Sequence, residues 1–106
     1  MGQIIERVIL AAPRSDISQA QADTAIEAGR ELISAIPGVE LISFGITLNS
    51  DVSYPWYVRI RFRDDEALKV YETHPNHLNF GVQQWLPIIK EHISTDYRIQ
   101  YDTSAS

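Results

Sequence analysis

Residues 56–63 read Trp-Tyr-Val-Arg-Ile-Arg-Phe-Arg, so Trp56, Val58, Ile60 and Phe62 alternate with Tyr57, Arg59, Arg61 and Arg63. Successive side chains of a β-strand point to opposite faces, and such strict alternation is the pattern of a half-covered strand. One face of its sheet must be packed under apolar groups. The other must accommodate a row of arginines. That combination calls for an antiparallel sheet with helices on one side only.

The remaining segments fit this demand. Gln3 to Ala12 is rich in Ile and Val and stops at Pro13, which reads as a first strand. Asp16 or Ser18 can cap a helix, and Ser18 with Gln21 three residues on fits a capping box. Ile17, Ala20, Thr24, Ala28, Leu32 and Ala35 recur at helical spacing, with Ala25 and Ile36 beside them, and Pro37-Gly38 ends the run. A helix so rich in alanine should approach its neighbour closely. Glu40 to Leu48 alternates as a strand, with Ile42, Phe44, Ile46 and Leu48 on its heavy face. Asn49-Ser50-Asp51 makes a turn into the arginine strand.

After that strand, Asp64-Asp65-Glu66 places three acids where a helix dipole favours them. This helix is disturbed near Thr73, because His74 precedes Pro75. A second helical stretch is expected from about Asn76 to Glu91, with Leu78, Val82, Trp85, Ile88 and Ile89 as its stripe and Pro87 kinking it or starting a new turn. Ile93, Thr95, Tyr97, Ile99 and Tyr101 then alternate as a last strand. The order βαββαβ defines a ferredoxin-like α+β plait with a four-stranded antiparallel sheet. A length of 106 residues accommodates a single domain, residues 1–106, with 103–106 as a frayed tail.

The uncovered sheet face carries Tyr57, Arg59, Arg61 and Arg63. The first strand adds either Ile5, Ile9 and Ala11 or Ile4, Val8 and Leu10, and the second adds Leu41. The last strand adds Asp96, Arg98 and Asp102 if its aromatic and Ile side turns inward. Two readings of this face stand: a solvated, salt-bridged surface, or an interface with a polar component.

Composition narrows the functions. Nine bases against fourteen acids give a net charge of -5, which opposes long-range attraction to nucleic acid or an anionic membrane. The longest aliphatic run, Val8 to Ala12, falls far short of the roughly 20 residues that span a bilayer. No basic segment makes it a signal peptide, so the cytoplasm is the expected location. The absence of cysteine excludes disulfides, a thiol nucleophile and Cys-based zinc sites. No glycine-rich loop opens a helix, so no nucleotide cofactor is expected. His74, His77 and His92 lack a carboxylate at ligand spacing, so no metal is expected either.

Residues 62–77, running from Phe62 through Ala67-Leu68 and Tyr71 to His74-Pro75-Asn76-His77, resemble the stress-responsive dimeric α/β-barrel (Dabb) family. Pro37-Gly38, Phe44-Gly45, Trp85-Leu86-Pro87 and Asp96-Tyr97 match as well, so the resemblance covers nearly the whole chain. It implies a homodimer in which two open sheet faces close into a barrel. The first strand departs from the family pattern, with Glu6-Arg7 and no histidine. A plant polyketide cyclase is similar to this family, and by that likeness His77 would be a general base and Tyr71 an orienting or oxyanion-stabilising group. Trp56, Phe62, His74, Phe80 and Trp85 would surround the ligand.

The residues allow that chemistry, since an imidazole exchanges a proton near neutral pH and a phenol can donate to a developing oxyanion. The blander account is that His-Pro-x-His locks a bend and that the aromatics are core. The expected function is therefore a homodimeric barrel that binds a small hydrophobic or polyketide-like molecule. The alternatives are a cofactor-free cyclase or lyase and, by fold analogy, a cofactor-independent monooxygenase.

Overall fold

The computed structural model describes residues 3–105. Four strands form one sheet: β1 (Ile5–Pro13), β2 (Val39–Ile46), β3 (Trp56–Phe62) and β4 (Ile89–Arg98). Their order across the sheet is β2-β3-β1-β4, every neighbour antiparallel. Helices α1 (Gln19–Ser34), α2 (Asp65–Thr73) and α3 (Pro75–Asn79) cover one face. This is the ferredoxin-like plait that the alternation predicts.

The arginine strand sets the faces. Val58, Ile60 and Phe62 are buried under the helices. Ile9, Arg7 and Ile5 stand opposite them on β1, so those three side chains share the helix side. Glu6, Val8 and Leu10 therefore lie on the open face, beside Tyr57, Arg59 and Arg61. There the buried Glu6 accepts from Arg61 Nε at 2.7 Å and stands 4.0 Å from Arg59 Nε.

Local signals hold at the helix starts. Ser18 Oγ accepts from the Gln21 N–H while the Gln21 side chain accepts from the Ser18 N–H, completing the capping box. Asp64 accepts from the Ala67 N–H and caps α2. The buried stripe of α1 is rotated from the expected one. Ala22, Ala25, Gly29 and Ile33 face inward, whereas Ala20, Thr24 and Ala35 are exposed. The cause is Gly29: a Cβ there would lie 2.7 Å from Phe44 Cζ, so the smallest residue takes the closest approach.

The second helical stretch also departs from expectation. Five residues of α3 give way to a π-helical turn (Phe80–Trp85) and a 3₁₀ turn (Leu86–Ile88). Phe80, Trp85 and Ile88 are buried, but Leu78 and Val82 are exposed, because the wider π turn breaks the 3.6-residue period. Pro87 lies in the 3₁₀ turn, and β4 starts at Ile89 rather than Ile93.

The faces of β4 are the reverse of the inward-turned arrangement. His92, Ser94, Asp96 and Arg98 pair opposite Ala11, Ile9, Arg7 and Ile5, and so lie on the helix side. Ile93 and Tyr97 point to the open face and are 49% and 53% exposed. The half-buried Arg7 accounts for the orientation, since this arrangement sets Asp96 beside its guanidinium. Asp102 lies beyond β4 and accepts from Arg61 at 3.0 Å.

Gly38 gives a test of this packing. Its φ is +88°, and a Cβ would fall 2.4 Å from Ala67 Cβ. Gly38→Ala should cost about 1–3 kcal/mol in urea unfolding. An unchanged midpoint would show that the turn relaxes freely.

Candidate functional site

Pro75 shapes the site. It leaves His74 extended (φ -69°, ψ 136°) and separates α2 from α3. His74 Nδ1 accepts from the Asn76 N–H at 3.0 Å, and Asn76 Nδ2 donates to the Leu32 carbonyl at 2.9 Å. His74 is thus the helix cap, and the bend is tied to α1.

The bend carries His77 onto Tyr71. Their rings stack with centroids 4.0 Å apart at 23°. Phe62 supports Tyr71 from below, edge-on at 4.9 Å, and is itself fully buried. The Arg7 guanidinium lies 5.4 Å from the Tyr71 ring centroid. His77 Nδ1 is buried and has no hydrogen-bond partner. In this chain the backbone cap is made by His74, which leaves the His77 imidazole free of that duty.

Tyr71, His77, Phe80 and Trp85 line a cavity of about 220 Å³ together with Arg7, His92, Ser94, Gly81 and Leu86. Val58, Ile60, Ile9 and Ile42 make its apolar floor, and His74 lies outside its lining. Trp56 lines a neighbouring hollow of about 340 Å³ with Phe44 and Ile46, and Trp85 and Val58 border both. Of the residues expected to form the site, the structure brings four to one cavity, Trp56 to the next, Phe62 beneath and His74 behind.

Arg7, His92 and Ser94 are the additions. Alternation could have found the last two, since His92, Ser94, Asp96 and Arg98 form one face. Arg7 gave no such signal, because its partners Glu72 and Asp96 lie 65 and 89 residues away in the chain. It donates from Nε to Asp96 Oδ1 at 2.8 Å, and from Nη2 to Asp96 Oδ2 at 3.1 Å and Glu72 Oε1 at 2.6 Å. Asp96 above all, and then Glu72, hold the guanidinium pKa above its ordinary value against the cost of burial. The three groups tie β1, β4 and α2 around the cavity.

Burial pushes the Tyr71 phenol up to about 12, with Arg7 pulling the other way. The phenol is therefore neutral at physiological pH and available as an O–H donor. A neutral donor, an imidazole and an arginine at the rim of an apolar hollow can hold and polarise a carbonyl oxygen. Among the described residues no group of three or more His, Asp or Glu is placed to hold a metal.

The pattern of the stress responsive A/B barrel (Dabb) domain matches residues 5–99, and the chain belongs to that family. Solved structures agree in fold. A Dabb family protein with a ferredoxin-like fold from Mesorhizobium loti is 19% identical, with a TM-score of 0.81, covering 93% of this chain and 99% of that one. Hydroxynitrile lyase from Passiflora edulis is 17% identical, with a TM-score of 0.84, covering 98% of this chain and all (100%) of that one. A dimeric ferredoxin-like protein of unknown function from Thermobifida fusca is 20% identical, with a TM-score of 0.81 and 93% of each chain covered. No protein with a curated description matches the chain.

The raised pKa of Tyr71 gives a signed prediction. The folded chain holds this proton more tightly than the unfolded one, whose tyrosine titrates near 10. The associated stability is complete below pH 10 and is lost as pH rises through about 12. Across that window wild type should lose about 2–3 kcal/mol that Tyr71→Phe retains. Urea melts at a series of pH values read this directly, and parallel curves for the two proteins would contradict it.

Proposed function

We propose that this chain is a homodimeric Dabb barrel whose cavity binds a small, largely apolar molecule bearing a carbonyl oxygen. The observation that carries this reading is the Tyr71–His77 stack beside an open cavity of about 220 Å³. A merely structural His-Pro-x-His would leave no hollow there, and its second histidine would be bonded to backbone. Instead His77 Nδ1 has no partner, and the walls are chiefly apolar with a few convergent polar groups, as in ligand sites. The volume suits a compact molecule, and the adjoining hollow behind Trp85 offers room for a longer tail.

The second reading is a cofactor-free lyase or cyclase, favoured by the neutral phenol next to an unbonded imidazole. His77 would take a proton from the carbon beside the carbonyl. The Tyr71 O–H would donate to the enolate oxygen as it forms. The enolate carbon would then attack a second carbonyl carbon of the same molecule, closing the ring as that C=O opens to an alkoxide, and His77 would pass its proton to the alkoxide oxygen. The fold likeness to a hydroxynitrile lyase supports a plait of this kind hosting a lyase.

The dimer completes the proposal. The open face presents Val8, Leu10, Leu41, Tyr57, Ile93 and Tyr97 around the Glu6–Arg61 pair, and apolar surface so placed favours a second copy.

Native mass spectrometry and NMR titration with acetophenone test the cavity. Wild type should bind, and His77→Ala and Tyr71→Phe should each weaken binding about fivefold or more. Indifference of the protein to the ketone would sink the reading. With β-polyketone substrates, turnover that falls about 100-fold or more in His77→Ala favours the enzyme. Light scattering at micromolar concentration should give about twice 12.0 kDa for wild type and a lower mass for Ile93→Asp. A well-folded wild-type monomer would refute the dimer.

A further inference from the structure

Glycine is the poorest helix former after proline, so a glycine inside a helical segment needs a reason. The usual ones are a left-handed φ, the close approach of a neighbour, or space left for something outside the chain. Gly38 has the first, with φ +88°. Gly29 and Gly45 have the second, since a Cβ would lie 2.7 Å from Phe44 Cζ and 2.5 Å from Tyr57 Cδ1 respectively.

Gly81 has neither. Gly38 is the positive-φ glycine among the described residues, and a Cβ built on Gly81 meets no atom within 4 Å. Yet Gly81 lines the cavity of Tyr71 and His77. The π-helical turn places it there. The Leu86 N–H donates to the Gly81 carbonyl, so the two residues stand one π turn apart, both on the cavity wall. Leu86 is 52% exposed, which puts it at the opening.

We propose that Gly81 is the specificity-determining position of this cavity, its missing side chain leaving the space that the apolar end of the ligand occupies. With Leu86 it sets the largest molecule admitted. The ligand class is an aryl or short alkyl carbonyl compound, its oxygen toward Tyr71 and its ring or tail along Gly81. This inference rests on the reading of the cavity as a small-molecule site.

Acetophenone and 2-acetonaphthone serve as probes of one and two rings, with binding followed by NMR titration and by tryptophan fluorescence. Wild type should bind both. Gly81→Leu should weaken 2-acetonaphthone about tenfold or more. Gly81→Ala should weaken it by less and leave acetophenone within about twofold. Because nothing packs against Gly81, Gly81→Ala should also raise Tm by about 2–6 °C, as a helix former replacing glycine does. Stability rising while the larger ketone is excluded is an outcome that a packing glycine would not give.

A Gly81→Ala protein that melts several degrees lower assigns the glycine to packing and overturns the inference. So does a Gly81→Leu protein that binds both ketones as wild type does. Those results leave the small-molecule reading standing. A wild type that binds neither ketone removes that reading, and this inference with it.

Discussion

Pro75 is the constraint on which the site depends. It has no N–H to donate, and its ring keeps the preceding residue out of helical backbone. The helical layer over the sheet is thereby broken at His74 (ψ 136°). An unbroken helix would run on past Thr73 and carry His77 away from Tyr71. The break instead turns the chain, the His74 imidazole closes the new helix start, and His77 comes to lie 4.0 Å above the Tyr71 ring. Beyond Pro75 the chain is short-ranged and irregular, five residues of α3 and then a π turn. Short irregular turns cover a sheet less completely than one long helix, and the cavity is the gap that remains.

Those parts of the molecule governed by local rules were legible in the sequence. The alternation of residues 56–62 set the faces of β3, the cap of α1 was visible as Ser18/Gln21, and the start of α2 as the acids Asp64-Asp65-Glu66. The meeting of Tyr71 and His77 could be anticipated from Pro75 lying between them. The parts governed by tertiary balance were not. In β4, Ile93 and Tyr97 resemble core residues, but the strand lies at the sheet edge and turns its polar side toward Arg7. Withdrawing Asp96 from the half-buried Arg7 would cost more than exposing two half-covered apolar groups. The stripe Leu78/Val82 failed for a different reason, since it assumed a 3.6-residue period that the π turn abandons.

The two sides of the sheet use charge in different ways. On the helix side Arg7, Asp96 and Glu72 form a closed set that joins three elements around the cavity. On the open side Glu6 engages Arg61, and Asp102 engages the same arginine from beyond β4. Arg59 Nε is buried there without a hydrogen-bond partner. A buried donor left without an acceptor is costly, so the open face is less complete in the single chain than the helix side is.

β1 lies between β3 and β4, and Ile5 pairs with both Phe62 and Arg98, so the earliest of the four strands to be synthesised waits for the latest. While the ribosome is still making the C-terminal part, α1 can be capped and β2 can pair with β3. Arg7 then has no Asp96, and His92 and Ser94 have not yet supplied their wall. Contacts so distant in sequence form late and slowly. Until β4 has emerged Arg7 has Glu72 of α2 but not Asp96 to engage, and the cavity is the last part of the domain to exist.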